Sequence, residues 1–355
     1  MSEPVHRDAA GGSGGAGGPP QLDSERGFIP REREEETRGL FYVVVSTVAY
    51  GSLPILAKLA YAAGVRTAGL LAWRFAGAWL LFALIVRARG MNPRSLLELG
   101  GAKRRTPQTP RRAPAPSLRT RLRLWGLGAI FVMNTLTYFG ALETAPASTV
   151  ALLLYTYPVI VSLVSAALGM ERLTVRSGAA AVLAVAGCAL TAGAATAPPR
   201  GVALALATAV IYASYVVLSS RVAIGVPSET VSLHVTQVCA VVYLPWALLR
   251  GELALPATPA AWGTVAALSL FCTVVPIRAF LAGLERVGPA RAAVVSSLEV
   301  VVTITLAAAF LHERIGPRQW AGGALILGGV LLQNLGALRR MGRLGAVSRR
   351  GRPTV

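Results

Sequence analysis

Residues 142–190 read LETAPASTVALLLYTYPVIVSLVSAALGMERLTVRSGAAAVLAVAGCAL, and residues 284–332 read LERVGPARAAVVSSLEVVVTITLAAAFLHERIGPRQWAGGALILGGVLL. Set in register, they are one pattern written twice. Thirteen of the 49 positions are identical, and four of these are charged: Glu143 with Glu285, Glu171 with Glu313, Arg172 with Arg314 and Arg176 with Arg318. Chance matching of Ala and Leu would not align the charges. Each copy holds apolar runs near the ~20 residues a bilayer-crossing helix requires, and a Glu-Arg pair marks the turn between two of them. Nearer the start, Tyr50 and Ser52 match Tyr212 and Ser214, and the wider spacing there is what an insert at 89–123 contributes to the first half.

Extended outward from this repeat, the hydrophobic pattern predicts ten spans: 40–63, 67–88, 124–142, 145–168, 174–193, 201–221, 229–249, 261–284, 289–311 and 317–338. Each half has five. Because five is odd, the second copy enters the membrane from the opposite side, the inverted-repeat arrangement of secondary transporters, whose site lies near the midplane between halves. The expected fold is an all-α membrane protein of ten transmembrane helices in two inverted five-helix repeats. The first repeat covers 40–193, interrupted by the Arg/Pro-rich insert 89–123, and the second covers 201–338. Residues 1–38, with GGSGGAGGPP and REREEETR, read as a disordered tail without the apolar segment of a signal peptide. Residues 339–355 form a second, basic tail.

The charge of the 355-residue chain fits this plan. It has 35 Lys+Arg against 16 Asp+Glu, a formal net charge of +19, yet 54% hydrophobic residues and only 14% charged ones. A soluble chain so basic would suggest nucleic acid as partner, but long apolar stretches exclude that class and call for a lipid bilayer. Of the 35 cations, 27 fall on one side of the predicted topology and five on the other, while Lys58, Arg74 and Arg278 lie inside spans. The positive-inside rule then places both termini in the cytoplasm, with the chain multi-pass in the plasma membrane. No Walker loop, HExxH, GxSxG or dinucleotide fingerprint stands in a fitting context. Enzyme activity, a cofactor and ATP-driven pumping are therefore not expected. Cys188, Cys239 and Cys272 sit in separate apolar stretches and the three His are scattered, so no metal site is expected either.

The segments LLYTYPVIVSLVSAALGMERLTVRSGAAAVLAVAGCAL and SSLEVVVTITLAAAFLHERIGPRQWAGGALILGGVLL resemble the paired signatures of EamA domains, which define the drug/metabolite transporter superfamily. The resemblance covers nearly all of 40–338. It implies alternating-access export or uptake of a small-molecule substrate, often driven by proton exchange, with export the expected direction here. One departure concerns the ninth span, where the family has a Glu-Pro pair. Here Glu299 is followed by Val300 while the first-half copy keeps Pro158, which leaves a helix break at that level without its usual residue.

The last Asp is Asp23, so carboxylate chemistry within the membrane falls to Glu. Glu299 lies about ten residues into the ninth span, where an ionised carboxylate costs several kcal/mol unless paired or protonated. That suits proton coupling or substrate contact; a Glu that merely joins helices is the alternative. The depth of Arg278 differs from that of Glu299 by roughly three residues, or about 4.5 Å, so it either pairs with Glu299 or extends toward the cytoplasmic headgroups. Lys58 and Arg74, at similar depth in the outer half, could attract an anionic substrate group or extend toward the surface. The repeat register sets Tyr157 opposite Glu299, and Tyr155 with it, at the midplane. Glu171–Arg172 and Glu313–Arg314 read as hairpin latches or gates on opposite faces. Glycines cluster in spans five and ten, a pattern of scaffold or homodimer faces. Two competing readings are an anion exchanger for phosphorylated or nucleotide-linked metabolites on the same fold, and a non-transporting scaffold or sensor that uses the 89–123 insert.

Overall fold

The computed structural model describes residues 28–88, 118–170, 174–194, 198–222, 224, 226, 228–253 and 258–332. These residues form helices α1 (Phe28–Gly51), α2 (Leu53–Ala62), α3 (Thr67–Ala88), α4 (Leu118–Thr144), α5 (Ala147–Leu154), α6 (Tyr157–Ala167), α7 (Val175–Ala194), α8 (Pro199–Val222), α9 (Ser228–Leu249) and α10 (Pro259–Ser269). A π-helical turn at Leu270–Val274 leads into α11 (Val275–Val287), followed by α12 (Pro289–Ser296), α13 (Glu299–Phe310) and α14 at 317–332. Eight continuous or once-interrupted segments are long and apolar enough to cross a membrane. The pair α12–α13 makes a ninth crossing and α14 a tenth, so the expected ten-span, all-helical plan is present. Much of each span remains uncovered by protein, with Leu84 at 63%, Val182 at 69% and Val185 at 70% exposed. Such helices are apolar on every side because their outer faces meet lipid.

The packing carries the repeat. Span one packs on span eight and span six on span three; span four packs on span six and span nine on span one; span two packs on span seven. Exchanging the two halves maps this set of pairs onto itself. Spans five and ten complete it with a seam of small residues. A Cβ on Gly187 would lie 2.6 Å from the Gly322 carbonyl oxygen, one on Gly322 would lie 2.7 Å from the Gly187 carbonyl oxygen, and one on Gly329 would lie 2.9 Å from that of Ala180. By the repeat register Gly187 corresponds to Gly329 and Ala180 to Gly322. These three glycines bring the backbones of spans five and ten together between the halves, while Gly178 and Gly328 of the same spans face open space.

Three spans are broken near their centres. Pro54 and Pro158 lack the N–H that would bond the carbonyls of Tyr50 and Leu154, and breaks fall at Gly51–Ser52 and Tyr155–Thr156. The ninth span breaks at Ser297–Leu298 without a proline. Its position is that of the fourth-span break in the repeat register, and so is its tight turn: Thr156 N donates to Leu153 O at 3.3 Å and Leu298 N to Val295 O at 3.1 Å. A tyrosine replaces the missing proline as the organiser, since the Tyr155 hydroxyl donates to the freed Ser296 carbonyl at 2.5 Å.

At the end of the bundle where α1 begins, the structure departs from the sequence expectation. Residues 28–38, assigned above to a disordered tail, continue the first span as helix. Their acidic run is held by cations of the turn between spans eight and nine: Arg286 Nε meets Glu35 Oε2 at 3.1 Å, and Arg291 pairs with Glu36. Helix α4 likewise starts at Leu118, inside the expected insert, whose residues 89–117 lie outside the described residues.

Candidate substrate and coupling site

The breaks in spans four and nine meet at the centre of the bundle, joined by the Tyr155–Ser296 hydrogen bond. A helix break at this depth leaves two half-helix ends facing inward, and unpaired backbone groups are tolerated there only where protein or a cavity receives them. Glu299 occupies the first turn of α13, immediately after the break. Its backbone is fixed against span one: the Thr303 hydroxyl donates to Gly51 O at 2.9 Å. A Cβ on Gly51 would lie 2.8 Å from Val302 Cγ1 and 3.1 Å from Glu299 O, so glycine is what admits this approach.

The Glu299 side chain is only partly buried, and among the described residues it has neither a hydrogen-bond partner nor an ion-pair partner. Tyrosines surround it. Tyr50, Tyr138, Tyr155, Tyr157 and Tyr212 all lie within electrostatic range of its carboxyl. Three of them form a row with Tyr215: Tyr155 meets Tyr157 edge-on at 5.8 Å between ring centroids, Tyr157 meets Tyr212 edge-on at 4.7 Å, and Tyr212 stacks on Tyr215 at 6.1 Å. All but Tyr155 keep partial solvent access although they sit among crossing helices, as side chains around an internal opening do. The expected placement of Tyr155 and Tyr157 beside Glu299 is what the structure has.

Arg74 lines the same region from span two. It is 4% exposed. Its Nε donates to Thr273 Oγ1 at 3.2 Å and its Nη2 to the Cys272 carbonyl at 3.4 Å. Pro276, four residues on, is the reason that carbonyl is free, and the π-helical turn widens the span there. The guanidinium lies 5.0 Å from the Phe75 centroid and 5.2 Å from that of Phe139. Tyr50 and Tyr138 interact electrostatically with both Arg74 and Glu299, so these two tyrosines lie within reach of both charges.

The other candidates go elsewhere. Lys58 does not join Arg74; its electrostatic partner is Glu313, beyond α13. Arg278 does not reach Glu299: its Nη1 meets Glu229 Oε1 at 3.5 Å, on the first turn of α9. Glu313 caps α5, accepting from Ala147 N at 2.7 Å, Ser148 N at 3.0 Å and Ser148 Oγ at 2.6 Å. It thereby ties the end of span nine to the start of span four. His312, with φ 53, supplies the left-handed turn that aims it there. Arg314 is exposed, whereas Glu171 and Arg172 lie outside the described residues. Sequence reasoning overlooked Thr303, Thr273 and Glu229 as partners; of these, only Thr273 had a signal, the proline that frees the neighbouring carbonyl.

Compared with known proteins, the chain matches the model described as the EamA-like transporter family twice, over residues 37–193 and 199–335. The "Uncharacterized transporter YcbK" of Bacillus subtilis (strain 168) is 24% identical over 306 residues, spanning 81% of this chain and 90% of that protein. A crystal structure, also 24% identical, is similar in fold with a TM-score of 0.57, covering 84% of this chain and 98% of that one.

Proposed function

The chain belongs to the EamA-like transporter family, and on that footing we propose that it is a gradient-driven membrane transporter that moves a small metabolite by alternating access, in export, with protons as the coupling ion. Glu299 carries the proton or contacts the solute, and the tyrosines beside it form the solute's walls. One observation carries this reading: the breaks of two crossing spans meet at the bundle centre with an unpartnered carboxyl on the turn that follows.

The chemistry follows from position. A carboxyl without a fixed cation can exchange a proton with either membrane face as the site opens to each in turn. Rings of tyrosine offer apolar faces plus hydroxyls that both donate and accept, suiting a solute with polar and apolar parts. The Glu313 cap belongs to the gating machinery in this reading. Opening at its end requires the carboxylate to leave the α5 terminus, and Lys58 is the cation within its range.

The test uses proteoliposomes loaded with an aqueous cell extract, with a pH gradient imposed and contents followed by mass spectrometry. The wild-type chain should deplete specific solutes in response to the gradient. Glu299→Gln, isosteric and without a titratable proton, should lose the gradient-driven component while retaining slow equilibration. Undiminished gradient-driven flux in that variant would remove Glu299 from coupling.

The topology is part of the proposal: both termini cytoplasmic and the membrane the cell's own, on the strength of 27 cations against five. An impermeant maleimide should label Arg200→Cys in intact cells and Ser13→Cys only after permeabilisation. The reverse pattern would invert the orientation.

A further inference from the structure

Arg74 is a buried cation whose counter-charge is missing. Its Nε and Nη2 are satisfied by a hydroxyl and a carbonyl, both neutral, while Nη1 is buried with no hydrogen-bond partner. Among the described residues no carboxylate pairs with it. A buried guanidinium in this state is costly, and the Phe75 and Phe139 rings, at 5.0 and 5.2 Å, offset only part of that cost. The charge is nevertheless held firmly, pinned to the widened turn of span eight, with Tyr50 and Tyr138 in electrostatic range of both it and Glu299. Resting on the transporter reading above, we propose that Arg74 determines specificity: the transported solute presents a single anionic group, a carboxylate or similar monoanion, to Nη1.

The charge inventory sets the size of that anion. Lys58 lies in the field of Glu313 and Arg278 meets Glu229, so among the described intramembrane cations only the Arg74 guanidinium has no carboxylate facing it. One guanidinium with one free donor suits one monoanionic oxygen; a phosphorylated or nucleotide-linked solute, with more charge, would need a cluster of cations. The Phe75 and Phe139 rings keep water from the guanidinium, which strengthens the pairing.

The experiment loads proteoliposomes with the same cell extract, either untreated or with its carboxyl groups converted to methyl esters, and assays wild type, Arg74→Lys and Arg74→Gln. Every solute that wild type depletes should carry an acidic group, and esterification should abolish its transport. Arg74→Gln should reduce that flux roughly ten- to a hundredfold, the loss expected for one charge-assisted hydrogen bond, and Arg74→Lys should retain part of it. Undiminished flux of acidic solutes in Arg74→Gln would overturn the proposal, and should that variant misfold, flux at the wild-type level in Arg74→Lys would do the same. Depletion of neutral or purely cationic solutes, or of the esters, would overturn the proposal and leave the transporter reading standing, whereas no depletion of any solute would sink the reading itself. Replacing chloride by sulfate identifies the source of the anion: unchanged flux supports the solute's own group, and flux that fails without chloride regardless of solute charge would assign Nη1 to chloride and overturn the proposal.

Discussion

At the scale of single residues, the site depends on what one glycine omits. Gly51 lets span one lie against the first turn of α13, and an added methyl would meet Val302 Cγ1 at 2.8 Å. Gly51→Ala should destabilise the fold by about 1–3 kcal/mol, the usual cost of overpacking, read as a lower apparent melting temperature in detergent. Residues of this kind were partly legible from sequence. Glu299 stood out because a carboxylate inside an apolar run demands an explanation, and its neighbours Tyr155 and Tyr157 followed from the repeat register. The partners of Arg278 and Lys58 did not follow. Counting residues from a turn gives depth in the membrane but says nothing of rotation about the helix axis, and rotation decides that Arg278 meets Glu229 rather than Glu299. Arg74 was visible as an intramembrane cation, but that it lacks a counter-charge is a property of the packed bundle.

Individual elements show how the same halves are broken and fastened. The ninth span lacks the proline of the fourth, yet both turn at equivalent positions, because Tyr155 takes over the freed Ser296 carbonyl. Tyr155→Phe should therefore loosen α12 from α13 at a cost of about 0.5–1.5 kcal/mol; faster hydrogen exchange at 295–299 would register it, and no change there would mean the break stands without the tyrosine. At the other end of span four, Glu313 serves as the cap of α5 by three contacts. Its replacement by Ala should cost about 0.5–2 kcal/mol, as for other lost caps, and should raise the thiol reactivity of Ser148→Cys at the mouth it closes. From sequence, Glu313 was recognisable as a fastening by its adjacency to Arg314 and its recurrence as Glu171. What it fastens was not, since the Glu-Arg pairing suggested by adjacency gives way to two backbone N–H groups far away in the chain.

At the scale of the whole molecule, the halves are joined by a seam that packs directly behind the site, with Ile326 and Val330 of span ten in one cluster with Tyr155 and Val300. Span five meets span ten through Gly187, Gly322, Gly329 and Ala180, with carbonyl oxygens where side chains would stand. Gly187→Ala should be strongly destabilising. By contrast, Gly178→Ala, with open space around it, should be neutral or stabilising by up to about 1 kcal/mol through better helix propensity. Equal effects of the two on thermal stability would argue against the seam. The ten-span plan and the repeat were open to sequence reading because hydropathy and charge fix them residue by residue. The starts of α1 and α4 were not, for polar helices at a span's end gain their stability from partners such as Arg286 and Arg291. The asymmetries between halves carry further meaning. Span one is broken where span six runs through, and span eight is widened where span three is straight. Pro54 and Pro276 have Val216 and Asn134 at the equivalent positions of the other half, so each bend is written into its own half and the two halves are not interchangeable in shape. The seam of spans five and ten, backbone against backbone, is what holds these unlike halves in one register.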